Sequence, residues 1–529
     1  MSYLLLFSLA LPLLLVFAIG FSRLRSAAMA LIPIATLLPL PLAVTPDIAI
    51  NLPWLILGTR LGIDPVSTPF LALVSVLWTA AGLYAKAYLA QDPERTRFYA
   101  FFLLTFTGNL GLVLAFDAVS FYLFFALMSF AAYGLIVHDG SSEARRAGRV
   151  YLTMAVIGEA CLLSALLLIG SQSGNVDLRE WGPQLADSPT RGWIIALVLA
   201  GFGIKMGAVP LHIWLPLAHP CAPTPASAVL SGIIIKAGLI GWMRFLPVGD
   251  LTLPGWGMLC LAVGMGSAFF GAFVGVFQER AKTVLAYSSI SQMGLITALL
   301  GIALAIPDVW PMLLIVILLF SVHHGLAKGA LFLGVGISTT GPRWTGWALA
   351  LPALVLVGAP LTSGALIKPF FKEAALNAPG NWSQWMPWLL TLSSIATGLL
   401  MVRFLVLAWP RTPQSRFSLA LGIPWITLLV MILLLPIWIE NFYPGLMMNS
   451  LKTEALLSAG LVLAATGLVS GIAWGVWLKT GFRLRIPEGD LLIFLKWLAD
   501  KLRFGESQQE SSAIDVKPSD KLLSSNMAV

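Results

Sequence analysis

Apolar residues in this chain run in long blocks broken by short polar stretches. A helix needs about 20 predominantly apolar residues to cross a bilayer. On that measure the blocks predict fifteen spans, near residues 3–21, 27–45, 65–88, 97–116, 118–137, 150–171, 193–216, 225–246, 255–277, 284–305, 310–338, 345–375, 384–408, 418–440 and 455–478. Beyond them, Leu491 to Leu502 has an amphipathic pattern expected to lie on the membrane surface, and the Ser/Gln/Asp-rich tail from Gly505 reads as disordered. The expected fold is an all-α polytopic membrane protein with 14–15 transmembrane helices.

Composition points the same way. Of 529 residues, 58% are hydrophobic and 11% charged, against about 25% charged in soluble domains. A net charge of +8 would suggest nucleic acid as the partner of a soluble protein. Here it is better explained by lysines and arginines that hold loops on one side of a membrane. With the N-terminus outside, the inside loops hold Arg23, Arg25, Lys86, Arg95, Arg97, Arg145, Arg146, Arg149, Arg280, Lys282, Arg343, Arg411, Arg416, Lys479, Arg483 and Arg485. The outside loops hold Arg60, Arg179, Arg191, Lys452 and a few residues at span ends. This asymmetry supports an odd number of spans and a cytoplasmic C-terminus. No basic region precedes the first apolar run, so it is not expected to be a cleaved signal peptide. Cys161, Cys221 and Cys260 are scattered and form no CxxC; they read as small buried hydrophobes, with no disulfide framework and no metal site.

Charge inside the apolar blocks carries the candidate chemistry. Intramembrane lysines are expensive and usually face a polar pathway. Lys205 and Lys236 lie mid-way in the seventh and eighth spans, on either side of a bend holding Pro210, Pro216, Pro220, Pro223 and Pro225. Glu159 lies about 14 Å into the sixth span at 1.5 Å per residue. His324 and Lys328 share a face of the eleventh span at i, i+4, and His323 points about 100° away. Lys368 lies in the twelfth span near Pro360 and Pro369. Lys328 and Lys372 could instead snorkel to headgroups, Glu159 could be a counter-ion only, and His324 could be a satisfied core histidine. His212 and His219 flank the bend, as gates or as helix caps. Buried lysine and glutamate both disfavour their charged forms, so a Glu–Lys pair that closes and separates can pass a proton on. Proline breaks each of the seventh and twelfth helices. Lys205 and Lys368 are 163 residues and five spans apart, the pattern of an inverted repeat with broken helices at matching positions.

The run KMGAVPLHIWLPLAHPCAPTPASAVLSGIIIKAG, with RAKTVLAYSSISQMG and HHGLAKGALFLGVG, resembles the signatures of the antiporter-like subunits of respiratory complex I. It also resembles their relatives in Mrp-type antiporters and in membrane-bound, group 4 hydrogenase and formate hydrogenlyase complexes. The resemblance covers roughly residues 95–410. It implies inverted five-helix repeats over 95–247 and 255–410; N-terminal helices over 1–90, C-terminal helices over 415–480, and a cytoplasmic amphipathic segment and disordered tail over 481–529 complete the expected organisation. It also implies that Lys205, Lys236, His324, Lys328 and Lys368 are the family's relay positions. One position departs. The family's fifth helix carries a glutamate that pairs with the seventh-helix lysine, and here that position is Ala126, with no acid between Phe121 and Val137. Glu159 is the candidate substitute.

The leading expectation is a proton-translocating subunit of a multisubunit energy-converting complex, with a relay of Glu159, Lys205, Lys236, His324, Lys328 and Lys368. Expected partners are other membrane subunits, a peripheral redox module, the lipid bilayer, and protons or sodium; no nucleic acid is expected. No cofactor and no redox centre are expected in this chain, although its complex would be an oxidoreductase. The alternatives are an Mrp-type cation/proton antiporter subunit and a non-pumping scaffold for a peripheral enzyme. The expected location is a prokaryotic inner membrane.

Overall fold

The computed structural model describes residues 1–45, 48–173, 177–339, 341–410, 417–481, 484–489 and 491–493. In chain order the helices are α1 (Ser2–Gly20), α2 (Arg25–Leu37), α3 (Ser67–Tyr88), α4 (Arg95–Leu114), α5 (Ala118–Ile136), α6 (Ser142–Ser173), α7 (Trp181–Ala186), α8 (Arg191–Met206), α9 (Trp214–Cys221), α10 (Thr224–Val229), α11 (Lys236–Phe245), α12 (Pro254–Val276), α13 (Ala281–Ala305), α14 (Trp310–Ser338), α15 (Arg343–Val357), α16 (Ser363–Leu376), α17 (Trp382–Ala408), α18 (Leu419–Phe442), α19 (Leu446–Ser450) and α20 (Thr453–Thr480). The predicted surface segment 491–502 lies outside the described residues beyond 493, as does the tail.

Among the described residues, thirteen helical segments are long and apolar enough to cross a membrane. They match all the predicted spans except the seventh and the twelfth. The protein is thus a multi-pass membrane protein, and the two exceptions are its broken helices. The apolar run predicted at 193–216 ends its first helix at Met206 and resumes at Trp214; that at 345–375 stops at Val357 and resumes at Ser363. Each first half ends on a left-handed glycine, Gly207 at φ 74° and Gly358 at φ 82°, a conformation that glycine adopts without a side-chain clash. Pro210 and Pro360 follow and cannot donate a helical hydrogen bond. Measured from these glycines the offset is 151 residues, and Lys205 precedes its break while Lys368 follows its own.

Two boundaries differ from expectation. The sixth helix begins at Ser142 and not at 150, and its first two turns carry Arg145, Arg146 and Arg149. Residues 49–62, expected only as a loop, form a hairpin of β1 (Ala49–Leu52) and β2 (Thr59–Gly62), with Ala49 opposite Gly62. The hairpin edge continues as a bridge from Leu61 to Ala115.

Loop contacts sort onto two faces. On one face Asp64 pairs with Arg244, Asp177 with Arg60 and Arg179, and the Arg60 N–H donates to Asp117. On the other, Arg280 reaches both Glu143 and Glu488, Arg485 pairs with Glu279, and His138 meets Asp92. The segments meeting on each face are those that the alternation of spans predicts. At the centre α13 is buried along its whole apolar length, whereas α20 is mostly exposed to the surroundings. Helices α12 and α13 approach to backbone contact along Gly257, Gly264, Gly271, Gly294 and Gly301, the small-residue interface by which membrane helices pack without a hydrophobic driving force.

Candidate functional site

The charged row begins on α6. Glu159 is buried, and neither of its carboxylate oxygens has a hydrogen-bond partner. It lies within electrostatic reach of Lys205 and beside the buried Ser129 hydroxyl, with which it interacts loosely. Lys205, one residue before the end of α8, points elsewhere. Its Nζ donates to Tyr151 Oη at 3.2 Å and sits over the rings of Tyr151, Phe125 and Trp214. The helix break makes this arrangement stable. Trp214, just past the break, donates from Nε1 to the Ile204 carbonyl at 2.7 Å and so satisfies a carbonyl near the interrupted end. The Val209 N–H, freed by the break, donates to Ser267 Oγ at 3.0 Å.

The eighth span supplies Lys236 by a different device. Between α10 and α11 the chain makes a π-helical turn over Leu230–Ile234, and such turns leave carbonyls open to other donors. The Lys236 Nζ takes two of them, Gly232 O at 2.6 Å and Ser231 O at 3.4 Å, and reaches His324 Nδ1 at 3.0 Å. Lys236 and His324 are both wholly buried. The second ring nitrogen of His324 has no hydrogen-bond partner. The Lys328 Nζ, one turn further along α14, donates to the Leu285 carbonyl of α13 at 2.8 Å. The row therefore runs from α11 to α14 through one direct contact.

The end of the row lies at the second break. His323 Nδ1 meets Ser363 Oγ at 2.8 Å at the start of α16, and Lys368 reaches back to the Val357 carbonyl at the end of α15. A cavity of about 440 Å³ adjoins them, lined by His323, Lys368, Lys372, Lys452, Glu454 and Gln292 among others. The Lys372 Nζ donates to Ser458 Oγ of α20 across its mouth, at 3.2 Å.

Most of the sequence-predicted residues thus fall into two groups. Lys236, His324 and Lys328 come together with His323 and Lys368 nearby; Glu159 and Lys205 form the second group. Among the described residues no hydrogen bond joins Lys205 to Lys236. His212 packs on Phe270 at 5.1 Å and stands 6.4 Å from the Tyr287 ring. His219 stacks on Phe332 at 4.7 Å, within electrostatic reach of Lys282 and Lys328, and neither of its ring nitrogens has a hydrogen-bond partner.

The chain matches the family model described as NADH:quinone oxidoreductase/Mrp antiporter, transmembrane, over residues 115–399, more than half of its length. It belongs to that family. The "NADH-quinone oxidoreductase subunit N" of Desulforudis audaxviator is 32% identical over 362 residues, covering 62% of this chain and 68% of that one. "Hydrogenase-4 component B" of Escherichia coli is 31% identical over 288 residues, 52% of this chain and 43% of the other. A "Putative antiporter subunit mnhA2" of Staphylococcus saprophyticus is 32% identical over 363 residues, 62% and 45%. The chain thus spans less than half the length of the last two. Among solved structures, the Mrp complex from Dietzia sp. covers the whole chain and 64% of the matched one at TM-score 0.77 and 21% identity. The archaeal membrane-bound sulfane sulfur reductase covers 87% and 99% at TM-score 0.72 and 20% identity. At those identities the structures establish the fold. Sequence reasoning missed Tyr151, Ser363 and the π-turn. A tyrosine just after the Arg-rich start of α6 reads as an interfacial aromatic, and a serine after a proline break reads as a cap. Only the fold shows that each touches a buried charge or its neighbour.

Proposed function

We propose that the chain is the proton-translocating, antiporter-like subunit of a larger energy-converting membrane complex. In this reading protons move along Glu159, Lys205, Lys236, His324, Lys328 and Lys368, with His323 and His219 as accessory groups. The observation that carries it is the 3.0 Å contact between Lys236 Nζ and His324 Nδ1. Two bases on different helices, both removed from water, stand within hydrogen-bond distance; that is the arrangement a hopping proton needs, and histidine is suited to accept and release it. Ionisable groups inside a membrane are costly and mark ion pathways. The cavity at Lys368 gives one end of the row access to the face that carries Lys452 and Glu454. His219, within electrostatic reach of Lys282 and Lys328, offers a route from the opposite face. The gap between Lys205 and Lys236 is one for water to fill.

Partners in this reading are other membrane subunits and a peripheral redox module, in a bacterial or archaeal plasma membrane with the N-terminus outside. The inverted repeats at 95–247 and 255–410 would place the two broken helices at symmetric positions. The test uses the full complex in sealed vesicles under an imposed pH gradient, with an entrapped pH dye and with or without sodium. Lys236→Ala and His324→Ala should reduce proton flux to background, while Lys479→Ala, at the exposed end of α20, should not. Wild-type flux in Lys236→Ala would refute the relay, and flux that requires sodium would replace the proton with sodium as the coupling ion.

A further inference from the structure

No carboxylate stands on α5 beside Lys205. Ala126 occupies the position where the family resemblance implies one, and the structure provides something in its place. The Lys205 ammonium sits among three aromatic rings, with centroids at 5.2 Å (Tyr151), 5.4 Å (Phe125) and 5.9 Å (Trp214). A ring face is electrostatically negative, so a cation within about 6 Å is attracted to it, and more strongly where water is excluded. The rings are themselves held. Tyr151 Oη donates to the Ser129 carbonyl at 2.8 Å, and Trp214 is anchored on Ile204 O. The Tyr151 and Trp214 rings meet edge-on at 5.1 Å, and Phe125 packs edge-on against Phe202 at 5.3 Å. The Tyr151 hydroxyl therefore gives its hydrogen to Ser129 and offers a lone pair to Lys205.

Glu159 lies close by and unused. Tyr122, Ala126 and Ser129 occupy one stripe of α5 at i, i+4 and i+7. Glu159 is within electrostatic reach of Tyr122 and beside Ser129, so it faces that stripe where the small Ala126 leaves room. Its two buried oxygens make no hydrogen bond of ordinary geometry, only a loose approach to the Ser129 hydroxyl, and buried polar groups normally have a full one.

We propose that Lys205 has two seats, the aromatic one seen here and the Glu159 carboxylate, and that Tyr151 is the positioning residue that defines the first. The aromatic cluster holds the lysine where no carboxylate is fixed, and Glu159 receives it when it swings. This deepens the relay reading and rests on it. In the full complex, with flux normalised to assembled protein, Tyr151→Phe should lower flux about tenfold, the effect of losing one hydrogen bond to a charged group. Adding Ala126→Glu, which places a fixed carboxylate on α5, should recover most of that loss and should also rescue Glu159→Gln; Ala126→Gln should do neither. A purely structural role for Tyr151 would not be relieved by a buried glutamate. Unchanged flux in Tyr151→Phe, or no rescue by an assembled Ala126→Glu variant, would overturn the two-seat proposal while Lys205→Ala still abolished flux. Wild-type flux in Lys205→Ala would overturn the relay and the seats together.

Discussion

At the scale of single residues, whether a charge was legible in the sequence depended on where its partner lay. Lys205, Lys236, His324, Lys328 and Lys368 stand out because each interrupts an apolar block. Their partners do not, because they come from other helices: Tyr151 is 54 residues from Lys205, and His324 is 88 from Lys236. The Asp64–Arg244 pair is another such case, 180 residues apart with two hydrogen bonds of 2.6 and 2.8 Å. Burial alone would raise the Asp64 pKa, but the hydrogen bonds and charge of Arg244, with help from Ser67, outweigh it and hold the group below its usual 3.8. A depressed carboxyl contributes stability that is present above the unfolded value and lost as pH falls through the folded one. Arg244→Met should destabilise the detergent-solubilised protein by about 2–3 kcal/mol, at the low end for buried pairs because Asp64 keeps some contact with solvent. In thermal unfolding, the gap between wild type and variant should be full at neutral pH and should narrow as pH falls through the carboxylate range, where Asp64 protonates first in the variant and last in the wild type. A gap independent of pH would show that Arg244 acts by packing and not by charge.

Elements were more legible than contacts. The thirteen unbroken spans and the two breaks follow from apolar length and from proline, which act locally, whereas Gly207 and Gly358 at the breaks stand out only once their left-handed backbone is seen. The π-turn in SGIIIKAG does not, since the same letters suit an ordinary helix; only the pull of Lys236 toward Gly232 O and His324 distinguishes it. The β1–β2 hairpin was hidden for a similar reason: its strands are four residues each, shorter than any scan for spans resolves. The α12–α13 interface tests how far element packing depends on side-chain size. A Cβ on Gly264 would run into the backbone of Ala298 and Gly294, whereas one on Gly266, two residues away, meets nothing within 4 Å. Overpacking of this kind costs about 1–3 kcal/mol, and more when backbone is what must move. Gly264→Ala should therefore lower the yield of monodisperse protein and its unfolding temperature, and Gly266→Ala should change neither. Equal behaviour of the two variants would mean that α12 and α13 can separate without loss.

At the scale of the whole molecule, the proposed relay has a direction only if the two faces are assigned. The structure separates the connections into two sets, with Arg280, Glu143, Arg485 and Glu279 on one face and Asp64, Arg244, Asp177 and the hairpin on the other. The first set lies beside the Arg-rich start of α6, and lysine and arginine accumulate on the cytoplasmic side of membranes. That assignment puts His219 near the cytoplasm and the cavity at Lys368 outside, so protons would enter near Lys282 and leave past Lys372 and Lys452. It can be checked without measuring transport. In a background with Cys161, Cys221 and Cys260 replaced by alanine, single cysteines are placed at Ser141 and Asn381, both exposed and on opposite faces by the alternation of helices. A membrane-impermeant maleimide should label Asn381→Cys in spheroplasts and Ser141→Cys only in inverted vesicles. The reverse pattern would keep the fold and every contact in the row, but it would turn the cavity into the entrance and His219 into part of the exit. Labelling of both from one side would contradict the odd number of crossings between them and, with it, the pairing of α8 with α9 and α15 with α16 as single broken spans.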